Sequence, residues 1–207
     1  SHDDDPAALA RDALVRERLA AAGIALHTCK DHVVFERDEI LTQAGKPYAV
    51  FTPYSRNWLA KLDDFYLKPY PVERYARRLA PASQTGLPAL EQLGFEPAGL
   101  QALGLAPGAA GAQDLLQAFL TRMDRYDVQR DQPALDATSR LSVHLRFGTV
   151  SIRQLAALAR ERRSTGAATW LKELAWRDFY HQVLANFPQV GRGESFKPEY
   201  DRIAWEQ

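Results

Sequence analysis

Cysteine is nearly absent: Cys29 stands alone in 207 residues, so no internal disulfide can form, and a reducing cytoplasmic setting is expected. Cys29 itself reads as a small apolar strand residue. No stretch approaches the roughly 18 consecutive apolar residues that a membrane span requires, so no membrane partner is expected. A charged-then-apolar signal segment is also missing from the start of the chain. Neither sign of charge prevails, since Lys+Arg and Asp+Glu both number 26, and total charge therefore announces no nucleic-acid partner. The charges are distributed unevenly, however. Asp3, Asp4 and Asp5 open the chain, whereas Arg140 to Tyr180 holds eight Lys/Arg against three Asp/Glu.

Strand signals are few as well. Pro6 to Ala22 predicts a helix, with Pro6 suited to the first turn, Leu9, Ala13 and Leu19 at helical spacing and Gly23 as a stop. Ile24–Cys29 alternates like a short strand, and His32–Phe35 and Tyr48–Phe51 are further short apolar runs. Asn57–Leu62 predicts a helical turn or two. These pieces are too few to close a sheet, so residues 1–62 read as the remnant of an α/β domain. Residues 63–111 read as a linker between domains. Prolines and glycines interleave there from Pro69 and Pro71 through Pro97 and Gly99 to Pro107 and Gly108. Such density breaks helices, so either an ordered linker with short helical turns or a disordered one is expected. Residues 112–207 read as helical. Leu115, Leu116, Phe119, Leu120 and Met123 share a stripe, Ser151 with Gln154 opens a helix to about Arg163, and a third helix runs from about Ala168 to Phe187. The expected fold class is mixed but mainly α.

The third helix is the informative one. At about 100° per residue, Trp170, Glu173, Trp176, Arg177 and Tyr180 fall within an arc of about 120°. Leu171, Leu174, Ala175 and Phe179 take the other side. A face of rings and ionisable groups suits a pocket for flat, hydrogen-bonding ligands, because indole and phenol rings stack on bases or on a ring cofactor. The competing reading is a buried amphipathic helix with a Glu173–Arg177 pair at i,i+4. Upstream, Thr138-Ser139-Arg140-Leu141-Ser142 precedes an apolar helical run. Its hydroxyls, its Arg and the free N–H groups of a helix start fit a phosphate or diphosphate; equally, Thr138 or Ser142 simply caps the helix.

These segments resemble the DNA photolyase/cryptochrome family in order and spacing. The resemblance is carried by Tyr126-Asp127-Val128-Gln129-Arg130-Asp131, then Thr138 to Ser142, then Leu145-Arg146-Phe147-Gly148, then Trp170 to Tyr180. Val50-Phe51-Thr52-Pro53-Tyr54 with Trp58-Leu59 looks like the end of that family's N-terminal Rossmann-like domain, and Tyr200 to Trp205 matches its next segment. The resemblance implies that residues 112–207 are the first helices of an all-α FAD-binding domain. Tyr126, Thr138, Ser139, Arg140, Leu141, Ser142 and Trp170 would contact FAD, the loop holding its phosphates. Glu173, Trp176, Arg177 and Tyr180 would face pyrimidine-dimer DNA, and Arg130 would reach a DNA phosphate. Glu173 and Trp176 would be catalytic, Trp176 stacking on the flipped dimer and Glu173 bonding its ring edge.

The implied activity is light-driven splitting of cyclobutane pyrimidine dimers by electron transfer from reduced FAD, as in class I photolyases. A cryptochrome-like signalling flavoprotein is the alternative. The Glu173–Trp176 pair resembles repair enzymes more than plant-type cryptochromes. The family's later His-Asn-Arg segment and its tryptophan chain have no counterpart here, so the FAD site is expected to be incomplete. Accordingly, this chain alone is expected to be inactive, to bind FAD weakly or not at all, and to self-associate through exposed apolar patches. The antenna chromophore is left undefined.

Overall fold

The computed structural model describes residues 1–81, 86, 88–96 and 103–204; Pro97, Gly99 and Trp205, cited above, lie outside the described residues. Helix α1 (Pro6–Ala21) begins where Asp5 accepts hydrogen bonds from the N–H groups of Ala7 and Ala8. Pro6 occupies the first turn, where its missing N–H is no loss. No strand forms at Ile24–Cys29, and Cys29 is exposed instead of packed.

Tyr48–Phe51 likewise forms no strand, and Phe51 instead begins α2 (Phe51–Lys61), six residues earlier than the expected helical turns. Among the described residues the only isolated strand-type pairing is the antiparallel bridge Leu41–Pro47. The reason is physical. Alternation gives a segment two faces, but a strand persists only when a neighbouring ladder accepts its N–H and C=O groups. Val33, Val34 and Phe35 are buried nonetheless, the N–H groups of Val34 and Phe35 held by a side chain from a distant helix.

Short α3 (Asp64–Leu67), capped by Asp63, leads into the Pro- and Gly-rich stretch. Where described, that stretch forms short 3-10 turns at Val72–Arg78 and Glu91–Leu93, neither with a buried residue. Helix α4 (Gly108–Leu120) buries Leu116 and Phe119 completely. A 3-10 turn at Met123–Arg125, then α5 (Tyr126–Gln129) and α6 (Ser142–Arg146), precede the two longer helices. The Ser151 hydroxyl accepts from the Gln154 N–H at the start of α7 (Ile152–Arg162), as the sequence predicts.

The organising element is α8 (Thr165–Asn186), followed by the single turn α9 (Pro188–Gly191). Ser164 caps it by accepting from the Ala167 N–H. It packs against α2, α5 and α7 and against the turns at Arg37–Glu39 and Met123–Arg125. Its start lies so close to the latter turn that a Cβ on Gly166 would collide with the Met123 carbonyl oxygen. Among the described residues the core runs from Val34 and Phe35 through Tyr54, Trp58 and Phe119 to Leu171, Leu174 and Phe179. The protein is therefore mainly helical, with α8 at its centre.

Candidate functional site

Asp178 sets the position of α8. Its Oδ2 accepts from the Trp58 indole N–H at 2.7 Å and from the backbone N–H groups of Phe35 at 2.9 Å and Val34 at 3.0 Å. The carboxyl is fully buried, and burial pushes its pKa up to about 7 even though these donors and Arg177 favour the charged form. Its Oδ1 has no protein partner, and neither does the amide of buried Gln182 one turn on. The sequence offered one hint of this role, since Asp178 interrupts the aliphatic side of α8, where an ionisable group is out of place.

On the opposite side, the expected residues form a connected face. Trp170, 3% exposed, packs against Phe119 with ring centroids 4.8 Å apart, and Tyr126 meets the same Phe119 edge-on at 5.7 Å. The Arg130 guanidinium lies 5.4 Å over the Tyr126 ring and forms an ion pair with Glu173. That hydrogen bond raises the pKa of Arg130. Arg130 and Glu173 are about one-third exposed, so the pair faces solvent. Trp176 continues the face but is already stacked. Phe51 of α2 lies on it with centroids 3.5 Å apart and planes at 9°, and Tyr180 stacks at 5.3 Å. Tyr180 is 62% exposed.

Arg177 departs from this face. Its Nε donates to the His32 carbonyl oxygen at 2.9 Å and its Nη2 to that of Leu145 at 3.2 Å, so the side chain ties α8 to two loops. Burial lowers its pKa. On a helical wheel Arg177 shares the arc, but long side chains reach the nearest unsatisfied carbonyls, and the wheel does not record where those lie.

The Thr138–Ser142 loop joins the same region through Arg122, which lies 6.0 Å over the Phe119 ring and donates to the Thr138 carbonyl oxygen at 3.1 Å. Ala137 and Leu141 anchor the loop in the core, while Thr138 and Ser142 are exposed. Ser139 Oγ accepts from the Leu141 N–H at 3.4 Å, Arg140 adopts a positive φ of 53°, and its guanidinium pairs with Asp136 at 3.0 Å. The Nε of Arg122 is buried without a partner. The exposed hydroxyls of Thr138 and Ser142 suit an anionic diphosphate such as the phosphate end of FAD, whereas Arg122 already donates to the Ala118 and Thr138 carbonyl oxygens and pairs with Asp136. Leu141 can serve it only through its backbone. Trp170, covered by Phe119, offers no open ring face to a flavin.

An open groove of about 800 Å³ lies elsewhere, between α3 and α7, lined by residues including Asp64, Lys68, Arg160 and Arg163. None of the expected site residues lines it. Beyond Asp178, sequence reasoning missed Phe119 and Arg122, which connect loop to helix, and Phe51, which covers Trp176. Their positions come from pairings between helices far apart in the chain.

Comparison with known proteins places this geometry in context. The family model described as DNA photolyase matches residues 1–74. The chain is 39% identical to a deoxyribodipyrimidine photo-lyase of Halobacterium salinarum, over 99% of this chain and 44% of that protein. It is 33% identical to a deoxyribodipyrimidine photo-lyase of a Synechococcus strain, over 100% of this chain and 45% of that protein. A class III photolyase structure from Agrobacterium tumefaciens superimposes with a TM-score of 0.79 at 24% identity, over 99% of this chain and 44% of that one, which speaks to the fold. The chain thus spans slightly under half the length of these relatives.

Proposed function

We propose, since the chain belongs to the DNA photolyase family, that it serves the light-driven splitting of cyclobutane pyrimidine dimers in DNA. The observation that carries this reading is the adjacency of Glu173, Trp176 and Arg130 on a solvent-facing strip of α8 and α5, joined to the hydroxyl-bearing loop through Phe119 and Arg122. Bound FAD would supply the light-driven one-electron chemistry that protein side chains lack. Thr138, Ser139, Ser142 and the backbone of Arg140 and Leu141 are the groups suited to hold its phosphates. Tyr126 lies along the path between the loop and Glu173.

The chain's own residues bind and orient the substrate. Trp176 presents an indole plane to a flipped pyrimidine, a contact worth about 1–3 kcal/mol per stacked base. Glu173 accepts from a ring N–H, and its half-exposed position lets it exchange Arg130 for the substrate. Released in this way, Arg130 is free to pair with a DNA phosphate. Tyr180, stacked beside Trp176, widens the aromatic surface. Arg177 acts in this reading by fixing α8 through carbonyls and not by touching DNA. The proposed division of the chain is an α/β-derived part at 1–62, a connector at 63–111 and a helical FAD- and DNA-binding part at 112–207.

The test is repair by the protein that carries this chain, supplied with reduced FAD and an irradiated oligothymidine in light. Restored base absorbance is expected, with a loss of about tenfold to a hundredfold in dimer affinity for Trp176→Ala and a loss of turnover for Glu173→Ala. Flavin photochemistry without any dimer splitting would instead favour a signalling role.

A further inference from the structure

Phe51 covers a ring face of Trp176. The two rings are nearly parallel, at 9°, with centroids only 3.5 Å apart, a separation that leaves almost no lateral offset. Aromatic side chains generally avoid such a sandwich, because their like-signed faces repel and offset or edge-on contacts are better. The neighbouring contacts of the same cluster follow the usual preference: Phe51 meets Phe179 at 73° and Trp176 meets Phe179 at 81°. A face-to-face plane at 3.5 Å is instead the geometry of a base stacked on an indole.

Phe51 is also placed where it can move. It is the first residue of α2, and Val50 before it provides no side-chain cap and is exposed. One turn later the helix is fixed, since Tyr54 and Trp58 are fully buried and the Trp58 indole is bonded to Asp178. An uncapped, frayable end therefore carries the ring, and a rigid body follows it.

We infer that Phe51 is a displaceable placeholder for a planar ring on Trp176, swinging away at the start of α2 when a pyrimidine takes its position. This rests on the reading of Trp176 as the stacking residue, and deepens it. Phe51 competes with the substrate for one ring face, so it sets how much unstacked pyrimidine binding must offer before the site engages. An undamaged base, costlier to extrude from the duplex than a dimer, displaces it less readily.

The experiment uses the full chain and two probes: oligothymidine with one cyclobutane dimer, and caffeine, a neutral planar purine that stacks on indole. Phe51→Ala is expected to raise affinity for the dimer-containing strand about three- to tenfold, and to raise caffeine quenching of the Trp176 fluorescence, identified by its loss in Trp176→Phe. Both gains should vanish in Phe51→Ala/Trp176→Ala. If Phe51→Ala does not fold by circular dichroism, Phe51→Leu replaces it, with the same direction and a smaller gain. Gain toward caffeine without gain toward the dimer upholds the placeholder and sinks the repair reading on which it rests. Gain toward neither probe in a folded variant overturns the placeholder.

Discussion

The two sides of α8 carry carboxylates of opposite character, five residues apart. Asp178 is sealed in the core, bonded to three donors from α2 and the Val34–Phe35 segment. Glu173 is about one-third exposed and paired with a single Arg130 that it can release to solvent. Loss of an acceptor in a dry site leaves every donor unsatisfied, whereas water replaces a lost surface partner. One carboxylate therefore belongs to the architecture and the other is available for recognition. The difference shows how one helix can be both a rigid axle and a binding surface.

The largest effect should come from Asp178→Ala, expected to destabilise the chain by about 3–5 kcal/mol, because three buried donors lose their acceptor at once. Urea denaturation measures it, and a loss below about 1 kcal/mol would erase the contrast between the two sides.

Next in size is a pH dependence partly hidden by compensation. Asp178 titrates near 7 in the folded chain and near 3.8 unfolded, so its contribution is full below about pH 4 and is lost as pH rises to 7. His181 runs the other way. Burial, with Arg177 and His32 adding, lowers it to about 4 from 6.5, so its contribution is full above 6.5 and is lost as pH falls toward 4. His32, stacked on it at 6.0 Å, is lowered in the same direction. The opposing slopes should partly cancel in the native chain between pH 4 and 7. Asp178→Asn should then lose stability on acidification through that window, and His181→Gln on alkalinisation, each by at most ~1.4 kcal/mol per pH unit for each linked proton. Thermal melts across the window decide it, and parallel slopes in the two variants would refute the compensation.

The smallest change in stability should follow Glu173→Ala, less than about 1 kcal/mol for a half-exposed ion pair. Its effect belongs in dimer binding and turnover instead. A stability loss equal to that of Asp178→Ala would move Glu173 to the structural side of the comparison.

Much of the helical part was legible from local signals. Ser151 with Gln154 marked the start of α7, Pro6 and Gly23 bounded α1, and the absence of proline between Thr165 and Asn186 let α8 run unbroken. The strand signals at Ile24–Cys29 and Tyr48–Phe51 failed, because pairing is a property of two segments and alternation belongs to one. The ring-and-carboxylate strip of α8 was visible as an arc, but Arg177 left it for backbone carbonyls that no wheel displays.

By itself the sequence determined where α1 and α7 begin, which residues share a face of α8, and the family that the motifs resemble. These follow from backbone capping, from the 3.6-residue period and from motif order, all of which act within short stretches of chain. Only the tertiary structure decided which carboxylate is buried, that Arg122 and Phe119 link the loop to α8, and that Phe51 lies on Trp176. Those outcomes depend on contacts across 16 to 144 residues of separation, where solvent exclusion and competition for hydrogen-bond partners, and not local propensity, assign each side chain its role.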